Sequence, residues 1–215
     1  MKMENNLSCY RIPLIALAVV CFFCLVSLGK LNSKPNEEGI IMEEDTIFLI
    51  DDFSKEDGVS SFGTNWRMFT DRVMGGVSTA SSGYEVVYER RCLRLKGLVS
   101  LENNGGFVQV ALPLEMDGRM FDASEYKGVR LWVWGNGENY YIHLRTDQTR
   151  LPWQYFQGEF STNDTWKKVE IPFQNFKPEN LNSPLNTRAL RRIAVVAIKK
   201  EFQADVAVSR LEFYR

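Results

Sequence analysis

The sequence has few of the residues on which most enzymes depend. Of its 215 residues only one is histidine, His143. A hydrolase of the triad type would have to use it, yet it lies between Ile142 and Leu144 in a strand-like alternation, whereas catalytic groups favour loop ends. The chain also has no G-x-S-x-G motif, no phosphate loop, no G-x-G-x-x-G motif and no Cys/His set for zinc. We therefore expect no catalytic residue, no cofactor and no bound metal ion.

Cysteine and net charge are low as well. Of the 4 cysteines, Cys9, Cys21 and Cys24 lie in or before an apolar N-terminal run, so Cys92 alone belongs to the globular part and no disulfide is expected there. Cys21 and Cys24 have redox-motif spacing but lie in a membrane-type segment, so we interpret them as apolar filler. The net charge of −1 gives no bulk electrostatic reason to bind nucleic acid, which we exclude as a partner.

One long hydrophobic run is present, at residues 12–28, and it contains no charged residue. As a helix it would span roughly 25 Å at ~1.5 Å per residue, which is the lower limit for crossing a bilayer. Small residues around Ser27 and Gly29 keep a cleaved signal peptide open as the alternative. We expect a membrane protein, single-pass or signal-peptide-bearing, with its domain on the non-cytoplasmic side.

The domain organisation follows from the composition on either side of this run. Residues 1–11 form a polar tail, residues 12–28 the transmembrane anchor or signal segment, and residues 29–45 an acidic linker too polar to order itself. From residue 46 to residue 215 the pattern has period two, with turn signals about every 8–12 residues, which is typical of a β-sandwich. The predicted strands are 47–53, 84–88, 92–98, 107–112, 128–134, 140–146, 153–160, 167–171, 193–198 and 206–213, with one short helix around 184–192.

Two strands carry an unusual set of outward side chains. Residues 128–134 place Arg130, Trp132 and Trp134 opposite the apolar row, and residues 140–146 do the same with Tyr141, His143 and Arg145. If these strands pair, all six share one sheet face, with Trp153 and Tyr155 close by. Aromatic rings beside arginine and histidine suit a protein hot spot or sugar stacking. A second buried face of the sandwich is the structural alternative.

The least random stretch is 66–78, which reads W-R-M-F-T-D-R-V-M-G-G-V-S. The adjacent Gly75 and Gly76 permit a positive φ or a close backbone approach. A tight turn between strands explains them structurally. The functional hypothesis is a loop that contacts a partner, anchored by Trp66 and Met74 and including Asp71.

This stretch resembles the hallmark of the complex I intermediate-associated protein 30 family. Three other segments fit the same family: Asp51-Asp52-Phe53, Gly105-Gly106-Phe107 and the W-K-K-V-E-I-P-F-Q-N-F segment at 166–176. The resemblance runs from about residue 48 to about residue 213. It implies an all-β fold, a jelly-roll β-sandwich of galactose-binding-like type, here preceded by an N-terminal hydrophobic helix.

The resemblance also implies a function, because the best-known members of that family help to assemble respiratory complex I. We expect a non-enzymatic binding domain that assists assembly or stabilisation of a membrane protein complex, with a protein as partner. The N-terminus does not look mitochondrial, which leaves the particular complex open. The alternatives are a membrane-anchored carbohydrate-binding module, with a glycan as ligand, and a cryptic hydrolase. Asp51 and Asp52 are candidate calcium ligands, although turn and strand-end capping is the favoured interpretation.

Overall fold

The period-two pattern of residues 46–215, the part of the chain that the computed structural model describes, forms fourteen β-strands. In chain order they are β1 (Ile47–Asp51), β2 (Arg67–Thr70), β3 (Thr79–Val87), β4 (Arg90–Val99), β5 (Phe107–Pro113), β6 (Glu115–Met116), β7 (Arg119–Met120), β8 (Gly128–Gly135), β9 (Asn139–Thr146), β10 (Tyr155–Ser161), β11 (Lys167–Pro172), β12 (Lys177–Glu179), β13 (Leu190–Ile198) and β14 (Phe202–Tyr214). Short 3₁₀ helices lie at Asp71–Met74, Glu102–Asn104, Phe173–Asn175 and Thr187–Ala189.

Two six-stranded antiparallel sheets pack face to face. The first sheet has the order β11-β8-β14-β4-β3, with β1 also paired to β14, and the second sheet has the order β12-β10-β9-β13-β5-β2. Strands β6 and β7 form a separate hairpin. This arrangement confirms the predicted all-β sandwich.

The core lies between the two sheets and is built from the residues that the alternation assigned to it. On β8, Val129, Leu131 and Val133 are 0% exposed, and so are Ile142 and Leu144 on β9. Burying a side chain of this size contributes about 1.5–3 kcal/mol each, so these rows hold the sheets together.

Strands β8 and β9 lie in different sheets, although they follow each other in the chain. Strand β8 pairs with β11 and β14, whereas β9 pairs with β10 and β13. The prediction that Arg130, Trp132 and Trp134 share a face with Tyr141, His143 and Arg145 is therefore wrong. Residues 136–138, between β8 and β9, carry the chain from one sheet to the other. Alternation fixes which face a residue occupies, but it does not fix the neighbouring strand.

The prediction of a helix around residues 184–192 is also wrong. Only Thr187–Ala189 forms a 3₁₀ helix, and β13 begins directly after it. Leu190 is 0% exposed and pairs with Thr146 of β9. Packing into the sheet thus overrides the local helical preference of this segment.

The predicted tail, hydrophobic run and linker all lie outside the described residues. Within residues 46–215 no helix is long and apolar enough to cross a membrane.

Candidate functional site

Asp71 organises the loop that follows β2. Its side chain is 0% exposed, at the start of a 3₁₀ helix that Thr70 caps by accepting a hydrogen bond from the backbone N–H of Arg72 at 3.3 Å. The Asp71 carboxylate accepts hydrogen bonds from the backbone N–H groups of Ser78 at 3.0 Å and Gly106 at 2.6 Å, and also from the Ser78 hydroxyl. The buried charge is thus satisfied by donors from two separate loops.

The glycines of both loops leave room for this carboxylate. Gly75 ends the 3₁₀ helix with φ 91°, and a Cβ there would meet open space. A Cβ on Gly76 would stand 2.3 Å from Cγ of Asp71, and one on Gly105 would stand 2.5 Å from its Oδ2. The two G-G motifs of the sequence are therefore parts of one structure, in which Asp71 supports the loop from within rather than facing a partner.

Burial and hydrogen bonding act on Asp71 in opposite directions. Burial raises the pKa of its carboxyl group, but the hydrogen bonds from Ser78, Gly106 and Phe107 together outweigh it and hold the pKa below its ordinary value. Asp71 is therefore ionised at neutral pH.

Trp66, which directly precedes β2, bonds to the end of β1. Its indole Nε1 donates to Oδ2 of Asp51 at 2.9 Å, and the Phe53 backbone N–H donates to the other oxygen of Asp51 at 2.8 Å. Asp52 caps the turn by accepting from Ser54. These hydrogen bonds of Asp51 and Asp52 cap the turn and the strand end, which is the interpretation that we favoured over calcium binding. Within residues 46–215, no group of three or more His, Cys, Asp or Glu is placed to hold a metal ion.

Trp132 and Trp134 lie on the outer face of the first sheet. Trp134 packs against a small buried cluster that includes Cys92 and Ala207, and the Arg94 guanidinium lies 5.0 Å from its ring centroid. The Arg210 guanidinium carbon lies 5.7 Å from the ring centroid of Trp132. Both rings are half-buried, so this face is largely occupied by contacts within the protein.

A groove of about 360 Å³ opens on the outer face of the second sheet. Its floor consists of the outward side chains of β5, β9 and β13, namely Gln109, His143, Ala194 and Val196. Its rim carries four large apolar side chains that remain exposed: Val73 at 71%, Met74 at 52%, Leu101 at 48% and Trp153 at 52%. The loop that Asp71 stabilises therefore forms one wall of the groove.

His143 and Tyr155 form a rigid pair in this groove. Their rings stack with centroids 3.8 Å apart and an interplanar angle of 12°. Burial, followed by the charge of Lys199, lowers the pKa of His143 from 6.5 to about 3, so the imidazole is neutral at physiological pH. Its Nε2 atom has no hydrogen-bond partner among the described residues. A buried polar atom of this kind favours a ligand that supplies the missing hydrogen bond.

Tyr141 borders this groove without lining it. It is 8% exposed and packs with Ala194 and Val196, and the Lys199 ammonium lies 4.5 Å from its ring centroid. It lines an adjacent cavity of about 300 Å³ together with Glu159.

Comparison with known proteins identifies the domain. The family described as Complex I intermediate-associated protein 30 (CIA30) matches residues 52–205, which include the loop of Asp71 and the groove. The chain belongs to the CIA30 family. No curated protein sequence matches it.

Solved structures with the same fold as this CIA30 domain include carbohydrate-binding modules. The family 11 module of a cellulosomal cellulase of Clostridium thermocellum superimposes with a TM-score of 0.60 at 13% identity, over 79% of this chain and 94% of the module. The family 11 module from the same organism in complex with a β-1,3-1,4-mixed-linked tetrasaccharide gives a TM-score of 0.59 at 13% identity, over 78% and 94%. At this identity the likeness shows that the β-sandwich fold is shared.

The CIA30 groove brings together five of the contact residues that were predicted from the sequence. These are Met74, His143, Arg145, Trp153 and Tyr155. Sequence reasoning missed Phe69, Phe107, Arg192 and Lys199, which also line it. Arg192 could have been found, because it is an odd number of positions from the buried Ile193 and Val195 of β13 and therefore faces away from the core. Phe69 could not, since β2 has only four residues and little alternation.

Proposed function

We propose that this CIA30 domain is a non-enzymatic binding domain that assists assembly or stabilisation of a membrane protein complex. A segment of the partner protein docks in the groove on the second sheet. The observation that carries the proposal is the exposed apolar rim of Val73, Met74, Leu101 and Trp153 around a largely apolar groove. Contiguous exposed apolar surface around a concave site is typical of protein interaction sites, and tryptophan is enriched at their hot spots.

The composition of the groove supports binding rather than catalysis. Its lining, within the described residues, contains no Asp, Glu, Ser, Thr or Cys. A glycosidase would need a pair of carboxylates there, and a triad hydrolase would need a hydroxyl or thiol next to His143. A histidine with a pKa of about 3 is also a poor general base at neutral pH. The cryptic hydrolase is thus the least supported alternative.

A carbohydrate ligand is the second candidate, favoured by the stacked pair of His143 and Tyr155. Flat, fixed rings beside an exposed Trp153 suit stacking against a sugar ring. The structural relatives of the same fold are carbohydrate-binding modules. However, Val73, Met74, Leu101 and Ile198 present aliphatic surface that cannot satisfy the hydroxyl groups of a sugar. This is why we place the protein partner first.

Affinity capture of the tagged full-length chain tests the proposal with a matched pair of variants. Trp153→Ala removes a ring from the groove rim, whereas Trp132→Ala removes a ring from the opposite face of the sandwich. We expect wild type and Trp132→Ala to co-purify the same membrane protein subunits and Trp153→Ala to lose them. Glycan-array binding that disappears in Trp153→Ala, with no co-purifying protein, would establish the carbohydrate module instead. Loss of the partner in Trp132→Ala alone would move the site to the first sheet.

A further inference from the structure

Two arginines meet at one end of the groove in an arrangement that is unfavourable without a ligand. Arg145 of β9 and Arg192 of β13 are directly opposed across the two paired strands, and both project from the outer face of the second sheet. Both side chains are half-buried. Like charges directly opposite each other on two paired strands are destabilising, and a negatively charged ligand would offset this cost.

Neither arginine forms a salt bridge within the described residues, although the charge of Glu115 acts on Arg192. Arg145 donates to the backbone carbonyl oxygens of Thr149 at 3.0 Å and Leu151 at 2.8 Å, which are neutral acceptors. The Arg192 guanidinium lies over the ring of Phe69, 5.9 Å from its centroid. Burial, followed by the neighbouring arginine charges, lowers the pKa of both groups, whereas the charge of Glu115 acts on the pKa of Arg192 in the opposite direction. The positive charge at this end is therefore not compensated by a salt bridge.

The pair also forms the boundary between the groove and a second concavity. This arginine cavity, of about 330 Å³, is lined by Arg145, Arg150, Arg191 and Arg192, with Glu115 as its only acidic residue among those described. At the other side of the groove stands Lys199, which likewise has no salt bridge among the described residues. The apolar groove thus adjoins a cavity in which four arginines face a single acidic residue.

We propose that the groove binds an apolar peptide segment carrying an acidic side chain, and that Arg145 and Arg192 receive its carboxylate. This inference rests on the proposed function and names the chemistry of the partner. The aliphatic and aromatic walls accept the apolar side chains, and the paired guanidinium groups supply planar donors that match a carboxylate. His143, whose Nε2 has no hydrogen-bond partner among the described residues, lies in the floor beneath the peptide. A neutral peptide would leave the arginine pair unpaired after removing it from water.

Peptide arrays probed with the labelled full-length chain test this inference. Three matched sets of short peptides share the same leucine, isoleucine and phenylalanine positions and carry either two glutamates, two glutamines or two lysines at identical places. We expect the glutamate set to bind best and the lysine set least. Arg192→Gln should weaken glutamate-set binding at least about tenfold, as expected for a lost charge-assisted hydrogen bond. Arg192→Glu should instead shift the preference toward the lysine set.

The control is Arg119→Glu, which makes the same charge change on an exposed arginine of β7 outside both cavities. It should leave the order of the three sets unchanged. If Arg192→Glu does not fold, Arg192→Gln provides the test. An unchanged melting temperature of Arg192→Gln would show that its weaker binding does not come from misfolding. Equal binding of glutamate and glutamine peptides, or no binding of any set, would overturn the inference. Binding of uronic-acid oligosaccharides without peptide binding would replace the peptide by an acidic glycan.

The inference and the proposed function can fail separately. Suppose that Trp153→Ala loses the co-purifying partner while Arg192→Glu retains it. The groove would then remain the docking site, but the arginine pair would not select an acidic segment. If both variants retain the partner, the proposed docking site and the role of the arginine pair are both overturned.

Discussion

Asp71 is the residue on which the loop beside the groove depends most. Its carboxylate accepts hydrogen bonds from Ser78 and Gly106, which belong to two different loops. Asp71→Asn keeps the shape but removes the charge and places an NH₂ group against N–H donors. We expect a loss of about 1.5–3 kcal/mol in unfolding free energy, the range for hydrogen bonds to charged groups. Urea denaturation followed by tryptophan fluorescence measures it, and an unchanged midpoint would refute the role of Asp71.

The lowered pKa of Asp71 predicts that the stability of the domain depends on pH. The pKa of Asp71 is held below its ordinary value in the folded protein, whereas in the unfolded chain it is about 3.9. Its contribution to stability is therefore complete above about pH 4 and is lost as the pH falls through the folded-state pKa. The difference in unfolding free energy between wild type and Asp71→Asn should be constant near neutrality and shrink below about pH 4. Burial raises the pKa of Asp51, so Asp51 changes the stability with pH in the opposite sense. Its contribution cancels in this difference, because both proteins contain Asp51.

Trp153 and Trp134 should respond oppositely to truncation, because one ring faces a groove and the other packs on the protein. Trp153 is 52% exposed, so Trp153→Ala should change the unfolding free energy by less than about 0.5 kcal/mol and weaken partner binding by about 2 kcal/mol or more. Trp134 packs against Cys92 and Ala207, so Trp134→Ala should cost about 2 kcal/mol of stability, somewhat less than for a fully buried ring. Thermal melting and titration calorimetry separate the two effects. A large drop in melting temperature for Trp153→Ala would place that ring in the core instead.

In the G-G loop, two neighbouring glycines are required for different reasons. Gly75→Ala introduces a Cβ at φ 91° in open space and should cost about 1–2 kcal/mol. Gly76→Ala forces a Cβ to within 2.3 Å of Asp71 Cγ, so overpacking of about 1–3 kcal/mol adds to the loss of the Asp71 hydrogen bonds. We therefore expect Gly76→Ala to melt at the lower temperature of the two. The reverse order would mean that the backbone conformation, and not the Asp71 contact, dictates the motif.

The individual strands show what the sequence alone could supply. Alternation located β8 and β9 and assigned the correct face to Val129, Leu131 and Ile142, because burial imposes period two on each strand separately. It could not assign the sheet partner, since pairing joins residues distant in the chain, as in Trp132 with Arg210. The Asp71 cluster escaped prediction for the same reason. Its donor Gly106 lies 35 positions along the chain, and only the fold brings the two together.

In the whole molecule, the arginine pair illustrates how the domain combines stability with binding. The buried rows of β8 and β9 secure the sandwich, which allows the outer face of the second sheet to keep Arg145 and Arg192 in mutual repulsion. Binding sites commonly retain such unfavourable arrangements, because the ligand relieves them. The groove therefore depends on two separate structures, the sheet that carries the arginines and the Asp71 loop that forms one wall of the groove.

The attachment of this domain to a membrane remains a proposal that a fractionation experiment can test. Residues 12–28 contain no charged side chain and, as a helix, would reach the lower limit for spanning a bilayer. We expect the full-length chain to stay with the membrane pellet after high-salt and alkaline carbonate washes, because neither removes a spanning helix. Replacing two central residues, such as Val19→Lys and Val20→Lys, should release it, since each charge at a bilayer centre costs about 2.5–3.5 kcal/mol. The matched control places the same two lysines at Asn32 and Ser33 of the linker and should leave the protein in the pellet. A soluble species whose N-terminus begins near Lys30 would instead identify residues 12–28 as a cleaved signal peptide.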